Sequence, residues 1–310
     1  MTLIRLQVSW SSGYSRLTMN RPERLKFIPV IIIGAPRSGT NILRDVLTSI
    51  DGISTWPCDE INYIWRHGNI RYPSDEIPAN MVHPKIAQYI QKSFLKIAHQ
   101  QKAVVIIEKT CANSLRVPFV DRAIPNAKYV YIYRDGIDVA ASAKLRWTAG
   151  LDILYILRKA RYVPVIDIPY YASKYLWSRI YRIFSGERRL AFWGPILDSN
   201  KQILEQYSLI EVCAIQWQRC VEKAERAFTM MPEGRVLKLS YEDFVENPTE
   251  AIRRILEFIE HKASDEVIKT AILPVRKNIR GKARKGLQPQ EIASLEVLIG
   301  NTLHRHDDKF

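Results

Sequence analysis

The chain has 310 residues, enough to bury a full hydrophobic core, and we expect a single α/β domain over residues 1–310. Lysine and arginine outnumber aspartate and glutamate by 46 to 32, a net charge of +14, which favours an anionic partner (nucleotide, nucleic acid, acidic polymer or lipid surface) without choosing among them. The four cysteines have no C-x-x-C spacing, which argues against a disulfide framework, and residues 1–27 hold no apolar stretch long enough for a signal peptide or membrane span, so we expect a cytoplasmic protein.

The first predicted element is a buried strand that ends in a glycine-bounded loop. Val30–Ile33 is a run of β-branched residues, Gly34 and Gly39 bound the loop, and a helix is expected from Thr40. The spacing follows the phosphate-loop pattern G-x-x-x-x-G-K-[ST], but Thr40 replaces its lysine and Asn41 replaces its magnesium-binding hydroxyl. The loop therefore lacks two residues that metal-assisted phosphoryl transfer uses. An anion would be held by backbone N–H groups, hydroxyls and Arg or Lys charge.

An acidic pair and a second strand come next. Asp59 and Glu60 end a segment that returns toward the sheet, and residues 83–100 carry apolar side chains at a helical period. A second strand over Ala103–Ile107 then delivers "EKTCANS", with Lys109, at its C-terminal end. This part of the chain therefore places two carboxylates and a lysine near strand ends.

A third strand ends in charged residues as well. A helix over Leu115–Ala123 leads to the strand Lys128–Tyr133, which is followed by Arg134 and by a helix from Ile137. The later segments "GRVLKLSYEDF" and "PTEAIRRILEFI" add another strand and helix. These elements predict an α/β fold: a P-loop-like three-layer sandwich with a central parallel sheet flanked by helices and a helical insertion.

Parallel strands place their C-terminal loops together, and ligands bind beyond those strand ends. We therefore expect the loop Arg37–Asn41 to gather with Lys109 and Arg134.

The stretch from Lys144 to Arg189 interrupts this alternation of strands and helices. It mixes Tyr, Trp and Phe with ten basic residues against three acids, a charge of 10 − 3 = +7. We expect a helical insertion over 147–198 and an N-terminal extension over 1–26.

Two segments resemble a known family. "PRSGTN" followed by "YIYRDGIDVAASA" resembles the two cofactor-binding segments of sulfotransferases that use 3′-phosphoadenosine 5′-phosphosulfate (PAPS). The resemblance runs from Ile28 to about Arg146 and resumes in "VLKLSYEDFVENPTEAIRRILEFI" and, more loosely, in "NIRGKARKGLQPQEI". It implies PAPS as cofactor and PAP as product, with no metal ion.

The resemblance assigns cofactor-binding residues one by one. Contacts to the 5′-phosphosulfate are implied for Arg37, Ser38, Gly39, Thr40 and Asn41. Contacts to the 3′-phosphate are implied for Arg134 and Ser142, with Arg146 as a further contact and Lys282 as a C-terminal contact to the cofactor.

The subgroup that looks most similar is the Golgi and tyrosylprotein type, here as a soluble member of the bacterial style. By that likeness Glu60 is the catalytic base, with Asp59 as the rival, and Lys109 stabilises the transferring sulfuryl group together with Arg37. A base on the acceptor side and positive charge at the leaving oxygen are what sulfuryl transfer requires.

The sequence also departs from that type in three places. Gly136 replaces a common proline, Asn41 replaces a threonine, and Ala283 follows Lys282 where a tryptophan is frequent. The six histidines show no spacing typical of metal ligands.

Several functions compete at this point. A P-loop kinase with a degenerate loop and a nucleic-acid- or membrane-binding protein on an inactive nucleotide fold are the alternatives to a sulfotransferase, although no nucleic-acid motif occurs. For the acceptor, the basic aromatic insertion favours a carbohydrate or glycolipid hydroxyl, with peptide tyrosine or a small phenol or alcohol as the alternative. The insertion would be a wall of the acceptor site, a membrane-facing surface that adds peripheral membrane contact, or ordinary core.

Overall fold

The computed structural model describes residues 27–147, 163–173, 176–177, 193–277, 281 and 283–307. Within them, one five-stranded sheet has the order β2-β3-β1-β4-β5, and every pairing is parallel. The strands are β1 (Ile28–Ile33), β2 (Ile53–Ser54), β3 (Val105–Lys109), β4 (Lys128–Tyr133) and β5 (Val236–Ser240).

Helices connect these strands and cover both faces of the sheet. The helices are α1 (Thr40–Thr48), α2 (Asn62–Arg66), α3 (Pro84–Gln101), α4 (Val117–Ala123), α5 (Gly136–Trp147), α6 (Asn200–Gln206), α7 (Leu209–Phe228), α8 (Tyr241–Glu246), α9 (Pro248–Phe258), α10 (Asp265–Ala271) and α11 (Pro289–Asp307). The predicted α/β sandwich with a central parallel sheet is thereby confirmed.

The two faces follow from alternation along β1. Ile31 and Ile33 point into a core shared with α3 and α4, whereas Val30 and Ile32 point into a second core shared with α1 and α9. All four side chains are fully buried, as expected for a strand covered by helices on both faces. The sheet is thus held from both sides, and its C-terminal edge carries the polar loops.

Element bounds differ from the sequence prediction in two informative places. The second predicted strand is β3, which starts two residues after Ala103 and includes Lys109 as its last residue, paired in register with Ile32. Leu115 was expected to open a helix but belongs to a 3-10 turn over Cys111–Leu115. Buried polar partners hold the strand end and this turn, and hydrophobic periodicity carries no information about such partners.

A third core lies under α5, α7 and α11. Cys213 and Cys220 are both buried free thiols on α7. The ring of Trp217 on the same helix lies 2.6 Å from the Cβ that a side chain at Gly136 would carry, so a glycine is needed there. This close approach places α7 directly against the start of α5.

Part of the predicted insertion lies outside the described residues, as does the N-terminal extension over 1–26. Most basic and aromatic side chains of the insertion also lie outside the described residues, among them Lys174, Tyr175, Arg179, Tyr181, Arg182 and Phe184. In the part of the chain that the structure describes, none of the helices has the length and apolar character needed to cross a membrane.

Candidate active site

The loop between β1 and α1 is shaped by two residues with positive φ. Gly39, with φ 88°, precedes α1, and a Cβ at this position would lie 2.2 Å from the ring of Tyr241. Arg37 has φ 72°, a backbone conformation that is uncommon for a residue with a side chain. A residue held in such an uncommon backbone conformation is typical of ligand-binding loops. The loop is thus built for close approach of backbone to a ligand.

The start of α1 has the donors that an anion needs. The hydroxyl of Ser38 is fully buried and has no hydrogen-bond partner among the described residues. Thr40 is the first residue of α1, whose first turn carries no acidic side chain, and Asn41 next to it is exposed. Because a helix N-terminus presents free backbone N–H groups and a positive dipole end, this loop fits the terminal anion of a nucleotide cofactor.

Positive charge from two further elements converges on this loop. Arg37 donates from Nε to the Ser142 hydroxyl at 3.0 Å, which joins the loop to α5. Burial and the nearby guanidinium groups of Arg146 and Arg134 lower the pKa of Arg37. Mutually repelling arginines around an unpartnered hydroxyl are the arrangement that a bound anion would stabilise.

Arg134 also supports the loop directly. Its Nη1 donates to the backbone carbonyl of Arg37 at 3.1 Å, and its guanidinium lies over the Tyr241 ring, 4.5 Å from the centroid. Its own carbonyl accepts a hydrogen bond from the Trp217 indole at 3.1 Å. Nε of Arg134 is buried without a partner in the described structure, so a donor remains for a ligand. Tyr241 is the first residue of α8 and packs against the Arg134 guanidinium and Gly39.

Asp138 ties the C-terminal region to the same place. This buried carboxylate on α5 accepts hydrogen bonds from the backbone N–H groups of Gly281 at 2.8 Å and Arg284 at 3.1 Å, and lies 3.7 Å from Arg134. Lys282 itself lies outside the described residues. Gly281, directly before it, and Arg284, two residues after it, nevertheless contact the start of α5, next to the residues predicted to bind a 3′-phosphate.

The acidic pair and the predicted catalytic lysine meet at the end of β3. Nζ of Lys109 lies 3.0 Å from Oδ1 of Asp59 and 3.1 Å from Oε1 of Glu60. The lysine side chain is 1% exposed, whereas each carboxylate is 24% exposed. Burial by itself would lower the pKa of Lys109, but the two carboxylates more than offset it and the pKa lies above its usual value. Lys109 is therefore a fixed positive charge beneath two solvent-accessible carboxylates.

The two carboxylates have different surroundings. Asp59 is also bound by Arg44, which donates from Nη1 to its side chain at 2.7 Å and to its backbone carbonyl at 3.0 Å. Glu60 accepts instead from the backbone N–H of Cys111 at 3.3 Å. Asp59 is thus held by two cations, Lys109 and Arg44, whereas the contacts of Glu60 include one cation and one backbone amide. The choice of Glu60 over Asp59 as the proton acceptor remains the prediction made from the sequence.

The anion loop and the carboxylate pair are adjacent. Thr40 Oγ1 lies 3.7 Å from the thiol of Cys111, the residue whose amide binds Glu60. The structure thus brings together all described residues that the sequence singled out, around the C-terminal ends of β1, β3 and β4.

Sequence reasoning missed three residues of this region. Arg44 and Asp138 hold functional segments in place through hydrogen bonds to residues 15 and 143 positions away. Glu108 instead bonds Thr110 and Asn113, which are close to it in the chain. A signal existed only for Glu108, because a carboxylate inside an otherwise apolar strand needs buried partners. Among the described residues, no group of three His, Cys, Asp or Glu side chains could hold a metal ion.

Residues 28–294 match the family described as "Sulfotransferase domain". We found no curated protein whose sequence matches this chain.

Solved structures share the fold at low sequence identity. A sulfotransferase domain from the curacin biosynthetic pathway aligns with a TM-score of 0.50 and 12% identity over 90% of this chain and 99% of its own. Sulfotransferase STF9 from Mycobacterium avium aligns with a TM-score of 0.53 and 12% identity over 92% of this chain and 77% of its own. At such identities the likeness shows the fold alone. The family match, which spans most of the chain, confirms the predicted class of enzyme: this protein belongs to the sulfotransferase domain family.

Proposed function

We propose that this sulfotransferase moves a sulfuryl group from PAPS to the hydroxyl of a carbohydrate or glycolipid, as a relative of the Golgi and tyrosylprotein type. The observation that carries the proposal is the pair Asp59 and Glu60 on the buried Lys109, next to a loop that fits an anion. PAPS supplies the sulfuryl group when bound. In this proposal the protein itself uses no metal ion.

The residues divide between the two ends of the cofactor. The loop from Arg37 to Asn41 would hold the 5′-phosphosulfate with backbone N–H groups, hydroxyls and one guanidinium. The 3′-phosphate would contact Arg134, Ser142 and Arg146. Lys282 is proposed as a further contact to the cofactor, and the described residues Gly281 and Arg284 on either side of it are bound to Asp138.

At the reacting end, Glu60 would accept the proton of the acceptor hydroxyl. Lys109 and Arg37 would place positive charge where the leaving oxygen gains negative charge. Such preorganised charge needs no rearrangement during the reaction, which is why a buried lysine suits the role. General-base catalysis by a positioned carboxylate contributes about 10²–10⁴-fold in rate.

The end of the insertion lies beside the anion loop, which supports an acceptor-side position for it. The amide of Gln216 donates to the carbonyls of Trp193 at 3.0 Å and Pro195 at 3.1 Å. A Cβ at Gly194, between them, would lie 3.7 Å from the ring of Pro36. We propose that the insertion over 147–198 borders the acceptor in a single domain.

The acceptor is identified by a transfer screen. Labelled PAPS would be incubated with panels of glycans, glycolipids, tyrosine peptides and small phenols or alcohols. We expect transfer to carbohydrate or glycolipid hydroxyls, and transfer to tyrosine peptides alone would replace that assignment by the peptide alternative. Absence of PAP binding in calorimetry, with a salt-dependent shift on RNA or DNA, would support the nucleic-acid-binding alternative instead.

One surface observation favours membrane contact as an accompanying property, for a cytoplasmic enzyme that acts at the bilayer. Val165, Ile166 and Trp177 are 83%, 79% and 64% exposed, and they lie in the same strongly basic stretch of sequence. Replacing all three by serine should abolish sedimentation with anionic liposomes and leave PAP affinity unchanged. The equally exposed Val297, replaced by serine, is the control. Unchanged liposome binding in the triple variant would rule this property out.

A further inference from the structure

A buried polar network begins at Glu108, the residue before Lys109 near the C-terminal end of β3. Its side chain is 1% exposed, and both carboxylate oxygens accept hydrogen bonds. Oε1 accepts from the Thr110 hydroxyl at 2.5 Å and Oε2 from the Asn113 amide at 2.9 Å. Both hydrogen bonds run to the strand end and the following turn rather than to the candidate cofactor loop, so the network needs another explanation.

The first branch of the network reaches the residue after Glu60. A threonine hydroxyl has one hydrogen, and in Thr110 that hydrogen is directed at Glu108. A lone pair of the same oxygen therefore faces the backbone N–H of Ile61, which donates to it at 3.2 Å. Glu108 thus determines which way the Thr110 hydroxyl points, and Thr110 holds the backbone next to the proposed base.

The second branch reaches the following residue. Oδ1 of Asn113 accepts from Nε of Arg116 at 2.9 Å, which fixes the amide orientation that Glu108 requires. Arg116 in turn donates from Nη2 to the side chain of Asn62. Asn113 and Arg116 are 0% and 1% exposed, so these bonds do not compete with water. Ile61 and Asn62, both directly after Glu60, are therefore tied to one buried carboxylate.

We propose that Glu108, acting through Thr110 and Asn113, is a positioning residue that holds the segment of Glu60 against Lys109. The inference rests on the proposed function, since it presumes that Glu60 accepts the acceptor proton. It also explains why the strand end is polar: Lys109 contacts Glu60 directly, while the residues on either side of Lys109 orient the Glu60 backbone.

The test removes one hydroxyl while keeping side-chain shape. Thr110→Val deletes the acceptor for Ile61, and Thr110→Ser retains it. The control is Thr302→Val, because Thr302 is also fully buried and hydrogen-bonds a glutamate, Glu222 on α7, away from the Glu60 segment.

Two measurements are made on the full chain. Hydrogen–deuterium exchange reports the Ile61 amide, which should exchange roughly five- to tenfold faster in Thr110→Val because it has lost its acceptor. Single-turnover release of labelled sulfate from PAPS, with water in place of the acceptor and the water proton passing to Glu60, reports catalysis. This rate should fall roughly 10–100-fold, as expected for a misplaced catalytic group.

The remaining expectations separate positioning from general stability. PAP affinity should stay within about twofold in Thr110→Val, because the cofactor loop is untouched. Thr110→Ser should recover most of both effects, and Thr302→Val should show neither. An unchanged Ile61 exchange rate, an unchanged sulfate release rate in Thr110→Val, or an equal loss in Thr302→Val would each overturn the inference. A wild-type protein that binds no PAP would instead refute the proposed function, while the exchange experiment would still test the positioning.

Discussion

Arg134 donates from Nη1 to the backbone carbonyl of Arg37, 3.1 Å away, and so ties the end of β4 to the anion loop. The residue that accepts this bond is the one with φ 72°. The interaction therefore stabilises an unusual backbone conformation as well as bringing positive charge to the site. Arg134 has two separable roles, loop support and ligand contact.

These two roles predict different losses for two nucleotides. In Arg134→Ala, weaker loop support should affect PAP and adenosine 5′-phosphosulfate alike, whereas only PAP loses a 3′-phosphate contact. The extra loss for PAP should be about 1.5–3 kcal/mol, the value of a charge-assisted hydrogen bond. Calorimetry with both nucleotides measures it.

The matched control is Arg235→Ala. Arg235 also donates to a backbone carbonyl, that of Ala127, and lies over a tyrosine ring, that of Tyr129. Arg235→Ala should therefore change neither the affinity for PAP nor that for adenosine 5′-phosphosulfate. Equal losses for both nucleotides in Arg134→Ala would remove the 3′-phosphate assignment.

Gly39 should tolerate no side chain. Gly39→Ala places a Cβ 2.2 Å from the ring of Tyr241 at a backbone φ of 88°. The left-handed conformation alone costs an alanine about 1–2 kcal/mol, and the contact with Tyr241 adds to this. We expect a lower melting temperature together with weaker PAP binding. The control is Gly300→Ala, where the added Cβ meets nothing within 4 Å, and it should keep the wild-type melting temperature and PAP affinity. A Gly39→Ala protein as stable as that control would contradict the loop geometry.

Glu60→Gln tests the base. The substitution keeps side-chain shape and removes basicity, so kcat should fall by about two to four orders of magnitude, with PAP affinity nearly unchanged. Asp59→Asn should be milder, because Arg44 and Lys109 already hold Asp59 as an ion-pair partner. Steady-state kinetics on the acceptor found by the transfer screen measures both. Near-normal kcat in Glu60→Gln alongside a collapse in Asp59→Asn would make Asp59 the base.

Stability should depend on pH through Glu108. Burial, reinforced by the charge of Glu60 and opposed by the Thr110 hydrogen bond and by Lys109, raises the pKa of Glu108 from 4.5 to about 7. The folded protein thus retains a proton that the unfolded chain releases. The stabilisation from this group is full below about pH 4.5 and is lost as the pH rises through 7.

Glu108→Gln removes that titration. The free energy of unfolding of the wild type, relative to the variant, should therefore decline between about pH 4.5 and pH 8 in urea denaturation. The guanidinium of Arg116 is a further charged group that interacts with the carboxyl of Glu108. With Glu291→Gln as the variant, the free energy of unfolding of the wild type relative to the variant should instead rise with pH, because the hydrogen bond from Lys144 lowers the pKa of Glu291. A difference between wild type and Glu108→Gln that stays constant with pH would show that Glu108 titrates normally.

Metal independence separates sulfuryl transfer from kinase chemistry. The position that binds magnesium in a phosphate loop is Asn41, which offers no hydroxyl. Activity with PAPS should therefore survive EDTA, and ATP with Mg²⁺ should yield no phosphoryl transfer. Activity that disappears in EDTA and returns only with Mg²⁺ would favour the kinase alternative.

Much of the sheet and its C-terminal edge could be predicted from the sequence, because short-range patterns determine them. The apolar run of β1, the glycines of the loop and the charges after β4 are local features, and parallel strands bring such strand ends together. Lys128–Tyr133 was predicted with its observed bounds. The resemblance in two separated segments added the family, which residue patterns alone left open among nucleotide-binding proteins.

The contacts that orient the site were decided by the tertiary structure. Ile61 and Thr110 are 49 residues apart, and Asp138 and Gly281 are 143 apart, yet each pair shares a hydrogen bond. A buried donor or acceptor must find a partner because water cannot reach it, but which partner lies within hydrogen-bonding distance depends on how strands, helices and turns pack. Local sequence thus specifies that Glu108 needs partners, and only the folded chain specifies that they are the residues holding Glu60 in place.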